Sequence, residues 1–110
     1  MDEQVATNRP DAGSRNKQEK ASDGMPVISK FYGIVIRMLC VRAFGARFYA
    51  FYGDSELVVN LWPVRIVAGD APARVQRMVV EWARQHEQEL LAAWHRCQIG
   101  MPPRPVAPLA

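Results

Sequence analysis

The sequence predicts an α+β domain, an antiparallel sheet of three to four strands followed by two amphipathic helices packed on one of its faces. Three observations predict it. Apolar residues recur with a period of two in runs between Ser29 and Trp62, the period becomes helical beyond Gly69, and glycine or proline marks each change. At 110 residues the chain is long enough for one domain and too short for two, and its 49% hydrophobic content suits a packed core.

Residues 1–24 are rich in Asp, Asn, Gln, Ser, Lys and Gly, with Val5 their only large aliphatic residue besides Met1. Such a segment buries too little apolar surface to offset its ordering entropy, so it is read as a disordered N-terminal tail, and the domain spans 25–100. From Ser29 to Val41 the chain alternates, with Tyr32, Ile34, Ile36, Met38 and Cys40 on the side that meets the core. Arg47 to Tyr52 alternates again, Phe48, Ala50 and Tyr52 lying opposite Arg47, Tyr49 and Phe51. Gly53-Asp54-Ser55 supplies a turn before the strand Glu56 to Trp62, in which Leu57, Val59 and Leu61 share a face. Pro63 interrupts the pattern, and Val64 to Val67 is a short fourth strand.

Asp70 reads as an N-cap and Pro72 as a first-turn residue of a helix whose apolar stripe is Val75, Met78, Val79 and Trp82. A single helix to Ile99 would carry that stripe into Glu89, while Leu91 and Trp94 pointed elsewhere. A bend between Gln85 and Glu87 removes the conflict and gives Leu90, Leu91, Trp94 and Cys97 a face of their own. Gly100 closes the second helix, and the proline-rich residues 101–110 form an extended C-terminal tail.

The inventory disfavours an enzyme. His86 and His95, the two histidines, stand nine positions apart and cannot chelate together from one helix, so no metal or other cofactor is expected. Neither a P-loop nor a GxSxG elbow is present, and the helical carboxylates read as a solvated face. Cys40 and Cys97 have no CxxC spacing and read as two buried thiols in a reducing compartment. No apolar run is long enough to span a bilayer and the N-terminus lacks the apolar centre of a secretory signal, so a cytoplasmic protein without membrane contact is expected.

The formal charge of +3 is carried beyond residue 24 almost wholly by arginine, with Lys30 the only lysine there. Arginine suits planar contacts with carboxylates, phosphates and aromatic faces. The hairpin segment "VRAFGARFYAFYG" sets Arg42 and Arg47 among Phe44, Tyr49 and Phe51, and alternation leaves Tyr49 and Phe51 as its exposed aromatics. These five residues, with Trp94 on the second helix, are the candidate partner-binding surface, and Trp82 is read as core. The partner expected is a protein; the alternative is RNA, gripped by phosphate contact and base stacking.

The stretches "MPVISKFYGIVIRM", "AFYG" and "VVEWARQHEQELLAAW", with the closing "PLA", resemble a small bacterial family known as domain of unknown function 4160. Its members begin at the Met-Pro that is Met25-Pro26 here, which implies either an added tail or translation from Met25. The family carries His-Asn-Pro-Pro-His-Phe-His before its second strand. On this chain the three histidine positions fall on Ala43, Arg47 and Tyr49, the prolines on Gly45 and Ala46, and Phe48 alone agrees. Any imidazole chemistry of relatives is therefore lost. The resemblance also implies pairing with a second small protein in a toxin–antitoxin-like module, in which this chain would be an interaction subunit or a degenerate ribonuclease-like component.

Overall fold

The computed structural model describes residues 25–110. The disordered tail expected for 1–24 lies outside them. Five strands, β1 (Val27–Phe31), β2 (Ile34–Leu39), β3 (Arg47–Tyr52), β4 (Ser55–Leu61) and β5 (Val64–Asp70), form one antiparallel sheet in chain order. Two helices follow, α1 (Ala73–Gln85) and α2 (Glu87–Gln98). The α+β class holds, and the sheet has one strand more than the largest number expected.

The additional strand comes from Ser29 to Val41, which is a hairpin and not one strand. Tyr32 and Gly33 turn the chain at φ 49° and 79°, the positive pair that a tight two-residue hairpin turn requires. The turn conserves the alternation, so Ile34, Ile36 and Met38 still face the core, whereas Tyr32 is exposed. β5 runs on to Asp70, three residues past the expected end, with a bulge where Val58 pairs with Ala68 and Val59 with Ile66. Gly69 makes this continuation sterically feasible, because at φ +89° a Cβ there would lie 2.0 Å from the Glu56 carbonyl oxygen. Asp70 is not the N-cap of α1; its Oδ1 accepts from Ala71 N–H at 2.9 Å, and Pro72 occupies the cap position.

The helices cover one face of the sheet. Ile36, Met38, Phe48, Leu57, Val59 and Leu61 meet Val75, Val79, Trp82 and Leu90 there, all fully buried. Trp82 is the centre of this layer: its ring lies 5.2 Å from Phe31 and 5.6 Å edge-on to Phe48. Such contacts add to the area burial of a large aromatic. The expected bend falls on His86, whose backbone N–H bonds Ala83 O at 3.2 Å and whose Nδ1 contacts the Glu89 carboxylate. The stripe of α1 can then end at Trp82 while α2 begins a new one at Leu90.

Residues 101–110 form neither helix nor strand, and they are docked on the domain. Val106 is buried and donates its N–H to Ile28 O at 2.8 Å, giving the edge strand β1 a backbone partner. Ala107 O accepts from the Trp82 indole at 2.7 Å, and the Tyr32 hydroxyl donates to Ala110 O at 3.1 Å. This strap joins the first hairpin to α1.

The cysteine expectation is overturned. Cys40, just beyond β2, and Cys97, in the last turn of α2, are half-buried and form a disulfide with a Cα–Cα distance of 5.5 Å. Both were read as inward-facing, but a sequence separation of 57 hid that the end of β2 and the end of α2 lie side by side. Gln98 Nε2 donates to Cys40 O at 3.2 Å at the same corner.

Candidate functional site

The candidate residues divide among three places. Arg42 and Phe44 lie on a short 3-10 turn, Arg42–Phe44, that joins β2 to β3 and buries none of its residues. Two backbone bonds build it, Phe44 N–H to Val41 O and Gly45 N–H to Arg42 O. Arg47, Tyr49 and Phe51 are on β3 and face away from the helices. Trp94 is on α2, half-buried against the core, with its ring 5.4 Å from His95 and its Nε1 buried without a hydrogen-bond partner.

The turn does not stand alone. Leu61 N–H bonds Ala46 O, so the β4–β5 hairpin, with Trp62-Pro63 in cis, abuts it. Trp62 is 76% exposed and Phe44 57%. The disulfide draws the end of α2 to the same end of the sheet, adding exposed Val41, Ile99 and Met101. Five large apolar side chains thus collect at one end of the molecule. The carboxylates of the sheet, Asp54, Glu56 and Asp70, are at the opposite end, as their places in β4, β5 and the β3–β4 turn require. The apolar end has arginines instead, Arg42, Arg47 and Arg65. Trp62, Val41, Ile99 and Met101 did not stand out in the sequence because each belongs to a different element. Trp62-Pro63 was legible as an interruption of strand pattern, though not as neighbour to the 3-10 turn.

On the other face of the sheet, Tyr49 and Phe51 stack at 5.8 Å with 18° between their planes. Phe51 is only 6% exposed, contrary to the exposure that alternation suggested, because the neighbouring side chains and this stack enclose it. Tyr49 is half-buried and sits directly opposite Arg37 of β2. Arg37 is 2% exposed, donates from Nη1 to Met25 O at 2.7 Å, and leaves its Nε without a partner. Burial lowers its pKa from the ordinary arginine value. Arg47 also has a buried, unpartnered Nε.

Among the described residues no three His, Cys, Asp or Glu side chains are grouped to hold a metal ion. His86 is at the bend and His95 in the last turn of α2. Arg47 and Tyr49 share the outer face of the sheet, and Ala43 is on the 3-10 turn. No helix among the described residues is long and apolar enough to cross a membrane.

Fold and surfaces together define a small α+β domain, a five-strand meander backed by two helices. The chain belongs to the family described as domain of unknown function DUF4160, whose model matches residues 33–95. The match runs from the first hairpin turn almost to the end of α2, leaving β1 and the strap outside it. Comparison with curated proteins and with solved structures finds no match.

Proposed function

We propose that this chain is a non-enzymatic protein-interaction module, one member of a two-component complex, that docks its partner on the end of the sheet formed by the 3-10 turn, the β4–β5 hairpin and the end of α2. The observation that supports the reading most is the joint exposure of Phe44 and Trp62 on abutting turns. Exposed aromatics gathered on a fixed framework are what a partner's pockets take up, and the disulfide fixes this framework. The charge around them selects the occupant: with Arg42, Arg47 and Arg65 at this end and the sheet's carboxylates at the other, the complementary surface is an apolar protein patch rimmed by Asp and Glu.

The test compares the full chain with a Phe44→Ser, Trp62→Ser variant, first in affinity capture from the native host and then in titration calorimetry with the captured protein. A partner that binds the parent in a saturable one-to-one complex, and the variant at least tenfold more weakly, supports the proposal. Equal binding by both proteins, or capture of nucleic acid in place of protein, overturns it.

A further inference from the structure

We infer that the open edge of β5, with the groove between it and α1, takes up an extended acidic segment of a partner protein as an added strand. The two edges of the sheet are treated differently. β1 has a backbone partner in the strap, through Val106 and Ile28, whereas among the described residues the backbone of β5 bonds only to β4. Its outward amide and carbonyl groups are a template for a further strand, and Ala68, Gly69 and Asp70 are exposed. The bulge opposite Val58 interrupts this edge, so the pairing is short and the groove beside it supplies the rest of the contact.

That groove, of about 580 Å³, lies between β5 and the flank of α1. Ile66 and Val80, both half-buried, are its apolar lining, and Arg77 and Arg84 stand exposed along its helix side. Ile66 projects toward the helices because it pairs with Val59, whose side chain is fully buried beneath them. A strand added to β5 therefore turns every second side chain into the groove.

Charge selects the occupant. Among the described residues neither Arg77 nor Arg84 has an ion-pair partner, and Glu81, the one carboxylate of the groove, accepts from Gln85 Nε2 at 3.4 Å. The two arginines are two helical turns apart, about 10 Å along the axis, and carboxylates four positions apart on an extended segment are separated by about 13 Å. The long side chains take up that difference. The fitting segment thus has an apolar residue with a carboxylate two positions away on either side. A second copy of this chain does not fit, because two-fold pairing of β5 with itself sets one arginine-bearing flank of α1 against the other. Nucleic acid does not fit either, since it offers no row of amide groups to a strand edge. None of these groove residues belongs to the docking surface of Phe44 and Trp62, so the two proposals stand or fall separately.

The experiment titrates the isotope-labelled full chain with the end-blocked peptide Thr-Glu-Thr-Val-Thr-Glu-Thr, following backbone amide and arginine Nε–Hε resonances by NMR. One control peptide carries lysine in place of glutamate. The other methylates the amide nitrogens of the three central residues, which keeps the charge and removes the donors of the ladder. Saturable shifts at Ile66, Val67 and Ala68 and at Arg77 and Arg84 are expected, with both controls at least tenfold weaker. An Arg77→Glu, Arg84→Glu variant should melt as the parent does, since both positions are exposed, bind the acidic peptide at least tenfold more weakly, and bind the lysine peptide better than the parent. Equal affinity for the methylated peptide reduces the contact to charge attraction and overturns the added strand. Absence of saturable shifts, shifts confined to Phe44, Trp62 and their neighbours, or self-association of the free chain through β5 overturns the site or its occupant.

Discussion

The indole N–H of Trp82 donates to the carbonyl of Ala107 across 2.7 Å, so the largest side chain of the core is held at its polar edge by the C-terminal strap. The strap is thereby a structural element. Val106, one residue earlier, is buried and bonded to Ile28.

Trp82→Phe should cost about 1 to 3 kcal/mol, combining a lost buried hydrogen bond with a small cavity. Val106→Asp should cost more, about 3 kcal/mol or above, because it places an unpaired carboxylate in the core. Urea unfolding of both variants measures this. A Val106→Asp protein as stable as the parent would show that the strap is not docked in solution.

Opening the Cys40–Cys97 disulfide should destabilise the fold. The linkage spans 57 positions, for which the chain-entropy relation gives about 4 kcal/mol, with about 2 to 4 the range usually observed. Urea midpoints with and without reductant, beside those of a Cys40→Ala, Cys97→Ala variant, test it. Coincident midpoints would mean that the bond constrains nothing.

Gly69 and Gly53 both have positive φ, yet substitution should separate them. Gly53→Ala meets no atom within 4 Å and should cost about 1 kcal/mol of backbone strain, whereas the Gly69→Ala methyl would fall 2.0 Å from Glu56 O. The latter should lose upward of ~3 kcal/mol or fail to fold, because the β4–β5 pairing must give way. Comparable melting temperatures for the two variants would refute the close approach.

Phe44→Ser with Trp62→Ser should leave stability within about 0.5 kcal/mol of the parent, since neither ring is buried. Thermal melting decides it. A drop of several degrees would place those rings in the structural framework and not on a docking surface.

Much of the architecture was legible because it depends on periodicity. Leu57, Val59 and Leu61, or Val75, Val79 and Trp82, declare their buried faces without knowledge of any neighbour, and the bend at His86 followed from two stripes that one helix could not align. What escaped notice was set by turns and by distant pairing. Tyr32-Gly33 reverses the chain without breaking the alternation, so two strands read as one. Cys40 with Cys97, and Phe44 with Trp62, are neighbours through the order of strands and the return of α2, which local pattern does not encode. Arg37 was equally hidden: its position in the alternation marked it as outward-facing, and outward-facing arginines are ordinarily solvated.

The strap has a kinetic consequence. Strand pairs in the meander join sequence neighbours and close small loops, so the sheet can assemble from local contacts, while Val106 can bond Ile28 only after a loop of most of the domain has closed. The strap therefore docks late and is the first part to detach. Each detachment uncovers the backbone of β1, an edge on which another strand could add. Amide exchange at Val106 should run faster than at Ile36 or Val59, and the gap between them measures how often the molecule exposes that edge.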